Sequence, residues 1–152
     1  MSGIAESLVD WWPGVSCVTR VSELASVPGS YLLELEVSES LKVEIGRFGP
    51  IVFSPGVYLY AGSAKGPGGL RARVGRHLRT DDKRLRWHID YLIAATGVRA
   101  ALVAPHTSEC EFVERLEGRA AVDVPIPGFG SSDCKACRSH LLRWVGESSK
   151  ES

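Results

Sequence analysis

The groups best equipped for chemistry crowd into one stretch of the chain. Between Lys65 and Arg86 stand Lys65, Arg71, Arg73, Arg76, Arg79, Lys83, Arg84 and Arg86, opposed by Asp81 and Asp82 alone. That segment carries a net +6 and leaves −6 on the rest of a chain with 18 Lys+Arg and 18 Asp+Glu. A local basic stripe on a neutral protein suits an anionic partner such as a phosphate backbone. A solvated helix face would look the same by charge alone. Spacing separates the members of the stripe. Leu70, Val74 and Leu78 recur every four residues, the apolar stripe of a helix. At ~100° per residue, Arg73 and His77 fall beside that stripe, and Arg71, Arg76 and Arg79 point away into solvent. A guanidinium turned towards the body of a protein needs a carboxylate or a phosphate, because an unpaired buried charge is costly.

The cysteines offer a second chemistry. Cys134-x-x-Cys137 is followed by His140, so three metal donors share one short segment. Structural zinc takes four ligands. Cys110 or His88 could add the fourth, but nothing in the sequence brings either close. Zinc is therefore considered and not favoured, and reduced thiols are expected for Cys17, Cys110, Cys134 and Cys137. Asp133 and His140 are read as a staple for the closing loop.

The elements that must position these groups follow from the pattern of breakers. With 44% hydrophobic and 24% charged residues, the chain has the composition of a globular domain and not of a disordered or fibrous one. No run approaches the ~18 apolar residues of a membrane span. The opening MSGIAESLVDWWPG lacks a basic n-region and a long apolar core, so a cytoplasmic protein is expected. Residues 1–26 read as a leader packed by Trp11 and Trp12, residues 27–145 as one domain, and residues 146–152 as a flexible tail. Strands are expected at Ser30–Val37, Leu41–Ile45, Ile51–Phe53 and Val57–Ala61, joined as an antiparallel meander. Helices follow at Leu70–Arg79 and Leu85–Ala95, then a central strand at Val98–Ala104. Ser108 opens a third helix, with Glu111 at capping-box spacing. Gly128–Asp133 reads as a loop, and Ser139–Val145 as a last short helix or strand.

On these elements sit Gly29-Ser30-Tyr31, Tyr60-Ala61-Gly62, Arg73, His77 and Glu109. Their order resembles the GIY-YIG nuclease domain, with Ser30 and Ala61 standing where that domain has isoleucine. The strings GVYLYAGSA, RARVGRHLR, RWHIDYL, SECEFVERL and GFGSSDCKACRSHL extend the resemblance over Val27–Trp144. They are similar to one uncharacterised branch of that superfamily. It occurs as small archaeal and bacterial proteins and attached to some endonuclease III proteins. The late asparagine of the superfamily has no clear counterpart.

The resemblance implies an α/β fold: a small, mostly antiparallel sheet flanked by helices, with an extra hairpin between Tyr31 and Tyr60. It implies hydrolysis of nucleic-acid phosphodiester bonds with Mg²⁺ or Mn²⁺, DNA as the expected substrate, repair as the setting, and a link to a base-excision repair glycosylase. The catalytic set would be Tyr31, Tyr60, Arg73, His77 and Glu109, opening into one cleft, with Glu109 holding the metal. Gly29, Gly62, Ser63, Lys65, Arg71, Arg76, Arg79 and His88 would meet the substrate. Four alternatives remain beside this. Tyr31 and Tyr60 could be sheet aromatics, Arg73 and Glu109 a structural ion pair. The whole domain could bind nucleic acid without turnover, or be stapled by metal at Cys134, Cys137 and His140.

Overall fold

A computed structural model of the chain describes residues 3–11, 14–79, 87–105, 108–127, 129 and 139–147. Its frame is a pair of nine-residue strands, β2 (Gly29–Val37) and β5 (Gly56–Ala64). They pair antiparallel without a break, from Gly29↔Ala64 to Val37↔Gly56. Both are dense in apolar residues because both of their faces are covered. β6 (Ala100–Pro105) lies on the outer side of β2, and β1 (Ser16–Val18) on the outer side of β6. β8 (Leu141–Glu147) pairs with β5, and β7 (Ala120–Asp123) closes that edge. The six-stranded order is β1-β6-β2-β5-β8-β7.

Successive strand residues face opposite sides of a sheet, and the two sides build two cores. Tyr31, Leu33, Leu35 and Tyr58 pack with Leu70 and Val74 of α2 (Gly69–Leu78) and with Ile89, Leu92 and Ile93 of α3 (His88–Thr96). Leu32, Leu59, Ala61 and Leu102 pack with Leu8 of α1 (Ile4–Leu8) and with Phe112, Val113 and Leu116 of α4 (Glu109–Arg119). The Ser108 hydroxyl accepts the Glu111 backbone N–H at 3.4 Å, half of the expected capping box. The result is the expected α/β architecture. Among the described residues no helix is long and apolar enough to cross a membrane.

Three expectations need correction. The four early strands are not a meander: β2 pairs directly with β5, and β3 (Leu41–Glu44) and β4 (Pro50–Phe53) form a separate two-stranded hairpin. The reason lies in their side chains. Lys42, Glu44 and Val52 are exposed, so each hairpin strand has one face to bury, whereas β2 and β5 have two. Second, residues 1–26 are more than a leader. β1 extends the sheet through Cys17↔Leu102, so β6 is second from the edge and not central. Ala5 and Leu8 of α1 are buried, and the Ala5 N–H donates to the buried Glu34 carboxylate at 2.8 Å. Third, Gly146 belongs to β8, paired with Ala121, and not to a tail. Trp12, residues 80–86, Gly128, residues 130–138 and residues 148–152 lie outside the described residues.

Candidate active site

Register places the two tyrosines. Tyr31 stands opposite Gly62, and Leu33 opposite Tyr60, so both phenols occupy one face of the sheet on diagonal positions. Gly62 is there because Tyr31 lies across it. A Cβ at Gly62 would collide with the hydroxyl end of that ring. Gly29 has a similar cause from the other side: its Cβ would meet the Ala104 carbonyl oxygen of β6 at 2.6 Å. Its smallness therefore serves strand packing.

Helix α2 is docked against the same face by its start. Gly69 has φ +56°, and a Cβ there would run into the backbone of Val27. Without one, the Leu70 and Arg71 N–H groups donate to Val27 and Ala25 carbonyls at 2.8 and 3.0 Å. This ties α2 to the chain entering β2 and sets His77 on Tyr31. The buried His77 ring brings Nε2 to 3.0 Å from the Tyr31 hydroxyl. Arg73, one turn earlier, donates from Nη1 to the Ser63 carbonyl at 3.2 Å. Its guanidinium lies 4.5 Å above the Trp87 ring. Arg73 and His77 thus face inward, as their place beside the apolar stripe implied.

Burial pushes the Tyr31 hydroxyl up to about 12, with the Arg73 charge pulling the other way and Asp90 and Glu109 adding to the rise. Burial also pushes Tyr60 well above the ordinary phenol value. Tyr31, Glu109 and Asp90 reinforce that rise, and Arg73 opposes it. Arg73 and Glu109 thus both act on the two tyrosines, but α4 packs on the opposite face from α2. The cleft that Arg73 lines holds neither tyrosine nor Glu109, so the expected single cleft of all four is not what the described residues form. Glu109 is the first residue of α4. Its Oε2 is buried with no hydrogen-bond partner among the described residues. Among those residues no ion pair joins it to Arg73. A buried carboxylate oxygen without a partner fits a hard divalent cation, and Mg²⁺ is commonly held by one or two carboxylates with waters filling its shell. No group of three or more His, Cys, Asp or Glu side chains that could hold a metal occurs among the described residues.

Arg76 departs from its expected place in solvent. It forms a two-pronged ion pair with Asp90, Nη1 to Oδ1 at 2.7 Å and Nη2 to Oδ2 at 2.8 Å. Asp90 is fully buried and also accepts the Trp87 N–H at 2.9 Å, capping α3. Arg76 lies 4.4 Å from the Trp87 ring, so two guanidiniums flank one indole. A helical wheel for α2 could not show this, because the carboxylate comes from α3. Sequence reasoning marked Asp90, with His88, only as part of the RWHIDYL signature; it missed Trp87 and the pairing of Asp90 with Arg76. The signal on offer was an acidic residue at the third position of a helix, which can accept the N–H of the residue before the helix.

Arg73, Arg76 and Trp87 line a cleft of about 250 Å³ with Ala64, Gly66 and Gly69. Round the helix, Arg71, Arg76 and Arg79 border a second groove of about 410 Å³ with Val21, Ser26 and Gly75. Arg71, Arg79 and Lys65 are exposed. His88 is partly buried and packs on Phe48 and Phe129, ring centres 4.6 and 5.8 Å away. His140 is buried, with Nε2 4.0 Å from the Cys110 sulfur. Cys134, Cys137 and Asp133 lie outside the described residues.

Comparison with curated proteins and with solved structures returns no match. Residues 30–152 match a family model described as domain of unknown function DUF123. The matched span holds Tyr31, Tyr60, Arg73, His77 and Glu109 and covers most of the chain, and the chain therefore belongs to the DUF123 family.

Proposed function

We propose that this chain hydrolyses nucleic-acid phosphodiester bonds with a divalent metal, in the manner of a GIY-YIG endonuclease, with DNA as substrate. The observation that carries the reading is the buried Tyr31–His77 hydrogen bond of 3.0 Å, with the Arg73 charge acting on the same phenol. At about 12, the Tyr31 hydroxyl does not ionise alone at neutral pH. The 3.0 Å bond gives its proton an acceptor, His77 Nε2, as the phenol oxygen takes a proton from attacking water. Arg73 is held by the Ser63 carbonyl and the Trp87 ring at the edge of a cleft. Its remaining N–H groups can grip a phosphate oxygen as charge builds there. Glu109 would hold Mg²⁺ or Mn²⁺, which when bound supplies Lewis-acid help to water and phosphate. Lys65, Arg71 and Arg79 would follow the sugar-phosphate backbone, which positions substrate without reading sequence. A role in repair beside a base-excision glycosylase is part of the same proposal.

A second reading, nucleic-acid binding without turnover, is favoured by one fact: Tyr31 is only 2% exposed. Labelled DNA and RNA junctions, flaps and single strands, incubated with Mg²⁺ or Mn²⁺ against a chelator control, separate the two. Metal-dependent cuts support the nuclease. Salt-sensitive binding with no cuts across the panel supports the binding module.

A further inference from the structure

We infer that the groove alongside α2, bordered by Arg71, Arg76 and Arg79, binds an unpaired nucleobase together with its phosphates. The groove measures about 410 Å³ and lies where α2 meets the short turn Val21–Glu23. Pockets that take small organic ligands start at roughly 300 Å³, so a base has room there. Every charged side chain that lines it is a guanidinium. The acid closest to Val21 in the sequence, Glu23, accepts the Thr19 and Arg20 N–H groups at 2.9 and 3.0 Å and is thereby occupied by its own turn.

The floor points to a flat occupant. Val21, which is 37% exposed, Ala72 and Gly75 put no polar side-chain atom there. Gly75 stands in the interior of α2, where glycine is less stable than alanine. Packing does not require it. A Cβ at Gly75 would meet the Val21 methyls at 3.5 and 3.7 Å, which is ordinary van der Waals contact. Gly62 and Gly69 differ, because a Cβ there would collide with the Tyr31 ring or the Val27 backbone. What a side chain at Gly75 would do is fill the groove floor. A bare floor beside an exposed valine suits the face of a planar ring.

The rim selects a nucleotide over an apolar ring. Guanidiniums stack on planar bases and grip phosphate oxygens two at a time. Arg71 and Arg79 are exposed, and Arg76 is fixed by its two bonds to Asp90. Ala72 and Arg76 line both this groove and the smaller cleft of Arg73. A strand with one phosphate at Arg73 therefore reaches the groove by crossing a single ridge of α2. A duplex keeps its base faces stacked inside, whereas a single strand or an extruded nucleotide offers one. That the occupant is nucleic acid rests on the proposed function, which the groove narrows to substrates with unpaired bases. Binding there does not depend on whether Glu109 holds a metal or the chain cuts.

The test reads binding with chelator present, so no cleavage enters it. Fluorescence anisotropy follows a labelled oligothymidine single strand and a blunt duplex of equal length on the parent and on Gly75→Met, which lays a long side chain across the floor. Gly75→Met should weaken the single strand about five- to tenfold and leave the duplex within about twofold. Unchanged single-strand affinity, or equal loss on both probes, overturns the inference. Gly75→Ala should melt ~1–4 °C above the parent, because its methyl fits. A lower melting temperature shows a glycine kept for packing and overturns the argument from the floor. If Gly75→Met does not fold, the parent still decides: a single strand carrying a photoactivated diazirine on its bases should label residues 21–26 or 68–79, and labelling confined elsewhere overturns the inference. A parent that passes these tests and never cuts contradicts the proposed nuclease and leaves the groove standing. A parent that cuts while Gly75→Met binds the single strand unchanged contradicts the groove alone.

Discussion

Replacing Asp90 by asparagine should damage the fold out of proportion to one atom. Asp90 is fully buried and accepts from Arg76 at 2.7 and 2.8 Å and from the Trp87 N–H at 2.9 Å. Asparagine keeps one acceptor oxygen and turns an amide NH₂ towards a guanidinium. Removing one partner of a buried ion pair costs ~3–5 kcal/mol. Arg76 is 19% exposed, so water replaces part of what it loses. That brings the expected loss to about 2–3 kcal/mol. In a domain of this size each kcal/mol moves the melting temperature by about 2–4 °C, so a fall of roughly 4–12 °C is expected. Arg71→Ala is the control, because Arg71 is exposed and its side-chain bond among the described residues, to the Leu24 carbonyl, is 3.5 Å long. It should stay within ~0.5 kcal/mol of the parent. Urea and thermal unfolding followed by tryptophan fluorescence would read both. If Asp90→Asn unfolds with the parent, or no earlier than Arg71→Ala, the reasoning about the α2–α3 clamp is wrong.

Other outcomes follow from the same contacts. Gly62→Ala should cost ~1–3 kcal/mol by overpacking against Tyr31. That penalty should shrink in a Tyr31→Ala background, as a double-mutant cycle in urea would show. Tyr31 ionises near 10 in the unfolded chain and at about 12 in the fold. The stability it contributes is therefore complete below pH 10 and lost as pH climbs from about 10 to about 12. Tyr31→Phe should flatten the fall in melting temperature across that window. Replacing exposed Arg71 and Arg79 together by alanine should weaken nucleic-acid binding for all sequences alike. It should also reduce the salt slope by up to about 2, read by fluorescence anisotropy at several salt concentrations.

How much of this was legible beforehand depended on the range of the interactions. The 3.6-residue repeat of Leu70, Val74 and Leu78 fixes which side of α2 meets the sheet, so the inward turn of Arg73 and His77 could be read from local order. Ser108 and Glu111 marked the start of α4 for the same reason. Strand existence was also local, since Pro-Gly breaks flank apolar runs. Strand partners were not. Nothing within SYLLELEV says that it pairs with GVYLYAGSA and expels the intervening hairpin; that follows from which strands can bury two faces. The short N-terminal pieces gave no usable period, because a three-residue edge strand and a five-residue helix are too short to show one. The Arg76–Asp90–Trp87 cluster and the Cys110–His140 approach join residues from different elements. Those appear only once the chain is folded.

The central claim rests on Glu109, the carboxylate whose buried Oε2 has no partner among the described residues. Its most direct test is cleavage of the labelled DNA and RNA panel by the parent and by Glu109→Gln, with Mg²⁺ or Mn²⁺ present and with binding measured in parallel. The account predicts metal-dependent cuts by the parent, none by Glu109→Gln, and near-equal binding and melting temperature for the two proteins. Cleavage retained by Glu109→Gln, or a parent that binds but never cuts, would contradict it.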